Sequence, residues 1–356
     1  MPTQPPLPPL LTPYVSSLPP SSLTVLSSVL GATGNWLVLR FLHAALGQPS
    51  TSDAALGFSE TNNGKKRKVV LVSFLRGWEF WRTEAKRLGL DLARLTDKRQ
   101  FAFIDGLSEL FSVPTATPTQ TSPSHNPQLR GAVPPRTVLP LRPQPGPVPA
   151  RGPQPAPRPV ATAPNTPTSR EIGPVKRLHL SGNGNAALDA LEKDITAVIN
   201  DLKKSMTTGD GQEETEVLLV IDQPDLLLAA TGPGRGIGAT EMGDWVMGLQ
   251  QHVHATLLTV SADSPLIHNA STFAHQPTTP LETEHAAFSI GSAHRAHMVM
   301  QLRNLETGAA RDVSGVLRVS KGGAWGQDDV DDHWEEKEVL YFVQRDGGVS
   351  VFGRGE

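Results

Sequence analysis

Apolar residues along this chain follow two rhythms that alternate. A continuous run at Lys68 to Leu75 (KVVLVSFL) predicts a strand buried on both faces, and Phe101 to Asp105 (FAFID), Glu216 to Asp222 (EVLLVID) and Ala255 to Ser261 (ATLLTVS) predict further strands. Helical spacing predicts helices at Glu79 to Leu88, which Gly89 stops, at Asn185 to Lys204, and at Gly243 to His254. In the second of these, Leu188, Leu191, Ile195, Val198, Ile199 and Leu202 recur on one face. At Val25 to Leu46 an apolar run passes through a Gly-containing turn into a helical pattern, which predicts strand, loop and helix. Strands alternating with helices argue for a parallel sheet with right-handed crossovers. The last third differs. Ala296 to Leu302, Gly315 to Ser320, Glu338 to Val343 and Gly348 to Phe352 read as short strands with no helix pattern between them, hence as an antiparallel extension.

The expected class is therefore α/β: a mostly parallel sheet flanked by helices, ending in an antiparallel meander. RecA-like folds have this outline, and so does a generic doubly wound domain with an added hairpin. Proline divides the chain further, since 18 of its 32 prolines fall between Ser112 and Pro174. Such a segment lacks backbone donors and apolar periodicity, so it favours polyproline-like or disordered states. The expected organisation is a Pro-rich segment at 1–22, a first part of the domain at 23–111 with an exposed loop at 47–66, a disordered insertion at 112–174, and a second part at 175–356. Roughly 250 residues remain for one α/β domain.

Charge and cysteine narrow the chemistry. With 32 Lys+Arg against 35 Asp+Glu the chain has no global basic field, so any RNA contact must be local. It has no cysteine, which excludes disulfides, thiolate metal sites and a Cys nucleophile and fits a reducing compartment. No apolar run reaches the roughly 18 residues of a membrane span and no signal-type segment opens the chain, so the expectation is no membrane and a cytoplasmic or also nuclear location.

The strand, loop and helix at Val25 to Leu46 have the layout of a phosphate-binding loop without its chemistry. A loop GxxxxGK[ST] supplies a Lys for the phosphates and a hydroxyl for Mg²⁺, whereas here Gly34 is followed by Asn35 and Trp36. An ordinary helix start is the alternative. Asp222, at the carboxyl end of a buried strand, stands where nucleotide enzymes hold Mg²⁺, or else caps the strand and loop. The run Gly232 to Gly238 (GPGRGIG) is read as a mobile loop presenting Arg235 rather than as a phosphate cradle. Lys65 to Lys68 (KKRK) reads as a solvated strand entrance or a nucleic-acid patch, and Asp328 to Glu336 as a solvated acidic loop. The pairs His252 with His254 and His294 with His297 have metal-ligand spacing but no third ligand, so no metal site and no cofactor are expected. Neither GxSxG nor HExxH occurs.

Three segments together carry a resemblance: FAFIDGLSELF at Phe101 to Phe111, EVLLVIDQPDLLL at Glu216 to Leu228, and the tail from His294 through HMVMQLRNLETGAARDVSGVLRVSKGG to VLYFVQRDGGVSVFGRG. In these the chain resembles the family of sixth subunits of the Elongator complex, RecA-like proteins without the usual ATP-binding motifs. The resemblance covers most of the predicted folded core, and the tail, with its order of strand, RDVxGxLRV, strand and FxxRG, is its most specific part. The insertion at Ser112 to Pro174 departs from shorter members. What the resemblance implies is a non-catalytic subunit of a hetero-hexameric ring with the fourth and fifth Elongator subunits. That ring associates with the catalytic Elongator assembly, binds tRNA and supports modification of the wobble uridine. Arg235, Arg318 and Lys321 are the candidate RNA contacts, and Gly34, Asn35, Trp36 and Asp222 the positions of a degenerate nucleotide site. The competing reading is a RecA-like ATPase using an irregular loop around Gly31 and Gly34, with Asp222 on Mg²⁺. A third is a binding module whose Pro-rich insertion docks aromatic-lined grooves.

Overall fold

The computed structural model describes residues 7–47, 67–112, 173–204, 215–231, 233–268, 278–306, 308, 310–326 and 334–353. Apart from end residues, the predicted insertion at 112–174 and loop at 47–66 lie outside these. The described residues belong to one compact unit, Met1–Val113 with Ile172–Glu356.

Strand and helix alternate as the pattern requires. The first half contains β1 (Ser22–Ser28), α1 (Asn35–Leu46), β2 (Arg67–Ser73), α2 (Trp78–Arg87), α3 (Leu92–Asp97), β3 (Phe101–Asp105) and the short β4 (Lys176–Arg177). The second contains α4 (Gly184–Lys203), β5 (Glu216–Asp222), α5 (Leu226–Thr231), α6 (Ala239–Gln250), β6 (Ala255–Ser261), α7 (Pro280–Arg295), β7 (Met298–Arg303), β8 (Gly315–Lys321), β9 (Lys337–Val343) and β10 (Val349–Phe352). All ten strands form one sheet in the order β10-β9-β8-β7-β1-β6-β5-β2-β3-β4. Neighbours from β7 to β4 are parallel, and β7 to β10 pair antiparallel.

Because successive side chains on a strand point to opposite faces, each central strand feeds two cores. Val69, Leu71, Phe101 and Phe103 pack with Trp36, Phe41 and Trp81 beneath α1 and α2. Val70, Val72, Ala102 and Ile104 pack with Leu191, Ile195, Trp245 and Phe288 beneath α4, α6 and α7.

Four expectations need correction. Helix α7 is absent from the sequence reading because its inward face carries His285, Ser289 and Ser292 beside Phe288, which blunts the apolar rhythm. Its start was nonetheless signalled by a capping box, in which the Glu282 amide donates to Thr279 Oγ1 and the Thr279 amide to Glu282 Oε2. Second, β7 is not part of a separate meander, for it pairs in parallel with β1 and joins the two halves of the sheet. Third, α6 starts and ends four residues before the predicted Gly243 to His254. Fourth, the basic run is no solvated entrance where it is described. Lys68 is buried and its Nζ donates to the Leu202 carbonyl at 2.6 Å, which ties the last turn of α4 to β2. Arg67 reaches Glu216 at 3.2 Å and the Ser16 carbonyl at 2.6 Å.

Trp81 is wholly buried between α2 and the sheet. Trp81→Ala is expected to lower the unfolding free energy by about 3–5 kcal/mol through lost transfer energy and a residual cavity, checked by urea denaturation.

Candidate functional site

In a parallel sheet the strand ends deliver their next residues to one rim, and ligand sites gather there. Here the carboxyl rim holds Asp222, Asp105 and the β1–α1 loop. Asp222 is 1% exposed and its carboxylate is engaged from three sides. Ser73 Oγ, at the end of β2, donates to Oδ2 at 2.7 Å, and Thr259 Oγ1, on β6, to Oδ1 at 3.0 Å. Arg76 approaches Oδ1 through Nη1 at 3.4 Å. Burial pushes the Asp222 carboxyl above the usual Asp value, with Arg76 and the two hydroxyls opposing that shift.

The turn after β5 extends this network. Gln223 has φ of 57°, a left-handed conformation that a non-glycine residue seldom adopts. Its amide donates to Thr259 Oγ1 at 2.9 Å and its Oε1 accepts from Ser261 Oγ at 2.8 Å, so β6 holds the strained residue in place. Asp225 Oδ2 accepts from the Ser261 amide at 3.2 Å and lies 3.0 Å from His285 Nε2 on α7, while its Oδ1 has no partner. His285 Nδ1 faces the Leu266 carbonyl at 3.2 Å and Ser289 Oγ at 3.4 Å. The Asp, His and Ser grouping is not a nucleophilic triad. The carbonyl occupies the nitrogen that would have to accept the serine proton, and all three side chains are buried. Asp105 is likewise spent on its own turn, accepting from the amides of Leu107 and Ser108, each at 2.9 Å.

The β1–α1 loop is closed by neighbouring side chains. The Leu30 amide donates to Asp263 Oδ1 at 2.9 Å, and Val29 bridges to Ala32. At Gly31 a Cβ would lie 2.7 Å from Asn304 Oδ1, so the loop accepts only glycine unless Asn304 moves. Asn35 Oδ1 accepts from Thr33 Oγ1 at 2.8 Å. Trp36 turns inward, with its ring 4.8 Å from that of Tyr341 on β9. Burial there pushes the Tyr341 phenol up to about 12. Gly34 opens α1 against Leu26 and Leu302.

The glycine-rich run also ends in occupied backbone. Pro233–Arg235 forms a short 3₁₀ turn, and the N-terminus of α6 that follows is filled by carboxylates. The Gly238 amide donates to Glu241 Oε2 at 3.0 Å and the Ala239 amide to Glu284 Oε2 at 2.6 Å.

The three candidate RNA contacts do not converge. Arg235 lies on the carboxyl rim, exposed, with its guanidinium 5.9 Å from the Phe111 ring centre. Arg318 stands mid-strand on β8, between Gln301 and Glu338 in the ladder. Lys321 ends β8 opposite Met298, the first residue of β7, and so lies at the amino rim. Its Nζ is 4.5 Å from the Trp325 ring centre. Gly322, next to it, packs on the backbone of Ala296 with no room for a Cβ.

Among the described residues no group of three or more His, Asp or Glu side chains is placed to hold a metal. His254 Nε2 lies 3.2 Å from the Leu18 carbonyl, and His297 stacks on Trp325 at 4.5 Å. No described helix is long and apolar enough to cross a membrane. Of the acidic stretch Asp328 to Glu336, Trp334 onward is described; Trp334 is buried and Glu336 Oε1 accepts from the Lys321 amide at 2.8 Å. Sequence reasoning reached Asp222 through its strand-end position but missed Ser73, Thr259 and His285, whose residue types are unremarkable in sequence. The chain matches no protein-family model and no curated protein.

Burial raises the Asp222 carboxyl, so the native state binds this proton more tightly than the unfolded chain, and stability falls as pH rises from the unfolded value through the folded one. Asp222→Asn removes the ionisable group while keeping one oxygen that can accept from a hydroxyl. Urea unfolding should show the variant gaining on the parent as pH rises above the usual Asp value, by about 1.4 kcal/mol per unit of pKa shift.

Proposed function

We propose that this chain is a non-catalytic, RecA-like scaffold subunit of the Elongator type, carrying a degenerate phosphate-binding loop. In this reading it assembles with the fourth and fifth Elongator subunits into a hetero-hexameric ring. The ring associates with the catalytic Elongator assembly in the cytoplasm, and also in the nucleus. There it binds tRNA and supports wobble-uridine modification, with the chemistry residing in another subunit. The observation that carries the reading is the saturated carboxyl rim. Where a nucleotide enzyme offers Lys, hydroxyl and a metal-binding acid, this chain has Asn35 bonded to Thr33, Trp36 packed on Tyr341, and Asp222 engaged by Ser73, Thr259 and Arg76. A protomer without nucleotide chemistry still supplies its half of each interface in a closed ring. The mostly parallel ten-stranded sheet with an antiparallel end supports the RecA-like part of the proposal. The separation of Arg235 and Lys321 on opposite rims suits a ring in which several weak phosphate contacts add up.

Purification through this chain from its own cells, followed by native mass spectrometry, is expected to return a six-membered assembly with two other RecA-like proteins. A lone monomer or homo-oligomer, or tight nucleotide binding by the isolated folded chain, would overturn the reading in favour of an ATPase. Within the assembled ring, Arg235→Glu combined with Lys321→Glu should weaken tRNA binding and flatten its salt dependence while leaving the mass unchanged.

A further inference from the structure

Arg40 interrupts the apolar run of α1 (WLVLRFL) and is 1% exposed. Nη2 donates to the carbonyl of Gly347, in the turn between β9 and β10, at 3.1 Å. Nε and Nη1 are buried with no acceptor, and no carboxylate among the described residues pairs with the guanidinium. Burial lowers Arg40 to about 10, which leaves it cationic at neutral pH.

A buried cation with no counter-ion is costly, and native interiors almost always pair it. Other basic side chains lie close by. His43, one helical turn along and half-buried, is lowered by its own burial and by the charge of Arg40. Arg87 lays its stem beside Gly347, with Cβ and Cδ 3.4 and 3.6 Å from where a Gly347 Cβ would stand. Arg345 is exposed in the same turn. Of the acids on these elements, Glu84 pairs with Arg87 at 2.8 Å, and Asp346, which keeps its negative charge, accepts from the Gly348 amide at 2.9 Å.

We propose that the junction of α1 with the β9–β10 turn is a binding site for a small oxyanion, a phosphate or carboxylate group held by Arg40 Nε and Nη1 and flanked by His43 and Arg87. Orphaned donors in a native interior commonly mark a missing water or ion, and a guanidinium that keeps its charge with two free donors selects an anion. The turn is closed by its own Gln344 to Gly348 and Gly347 to Gln344 bonds, and the Arg40 to Gly347 contact is what an entering anion would displace. None of these residues belongs to the Asp222 network.

The test is thermal unfolding of the full chain and of Arg40→Met in chloride, phosphate and acetate at equal ionic strength. The parent should melt about 2–4 °C higher in phosphate than in chloride beyond any difference shown by Arg40→Met. The variant in chloride should melt no lower than the parent, because it buries no unpaired charge. An equal gain in acetate assigns a carboxylate ligand, and a gain confined to phosphate assigns a phosphoryl group. The same salt response in both proteins would overturn the site. NMR titration of His43 gives a second measurement that needs only the parent chain. Its pKa should rise when the anion screens Arg40, and an unchanged value in phosphate and chloride would equally refute the proposal.

Discussion

A sheet covered by helices on both faces leaves its strand ends as the place where buried polar groups must find partners. At the carboxyl rim that demand is met around Asp222. Its carboxylate gathers Ser73 from β2 and Thr259 from β6, and Thr259 in turn receives the amide of Gln223. The same β6 segment supplies Ser261, which reaches both Gln223 and Asp225. Asp225 then meets His285, which fastens α7 to the rim. Three strands, a strained turn and a helix thus share one hydrogen-bond network. A network of this kind rigidifies where it is satisfied and is costly to open, and within it Asp225 Oδ1 is left without a partner among the described residues.

The opposite layer solves a different problem. Helix α1 must bridge the parallel part of the sheet and its antiparallel end, and it does so with Trp36 stacked on Tyr341 and Arg40 bonded to the β9–β10 turn. Trp36, the second residue after Gly34, is thus an interior packing element, while Asn35 before it bonds to Thr33. Arg40 is the part of that junction that no acid among the described residues compensates.

Much of the architecture was legible because burial on two faces writes a plain signal. FAFID, EVLLVID and ATLLTVS predict β3, β5 and β6 to the residue, since short runs rich in apolar and β-branched residues suit strands buried on both faces. Helix α7 was hidden for the converse reason. The side chains it buries are His285, Ser289 and Ser292, which become compatible with an interior only through partners on other elements. Gly243 to His254 misplaced α6 because its N-terminal turn is stabilised by Glu284, a residue of α7, and not by a local cap alone. The position of Asp222 at a strand end was visible; its engagement was not, because Ser73 is 149 residues away and Thr259 is 37.

By itself the sequence determined the period of each element, hence the α/β class, the parallel centre and the absence of a phosphate-binding Lys after Gly34. These are local properties, set by side-chain spacing and residue chemistry. Only the tertiary structure decided that β7 joins the sheet beside β1, that Arg235 and Lys321 stand on opposite rims, that Lys68 is buried, and that Asp222 is enclosed while Arg40 has no counter-ion among the described residues. Each of these depends on which distant segment arrives next to it, and strand pairing and polar satisfaction are long-range relations that no window of neighbouring residues contains.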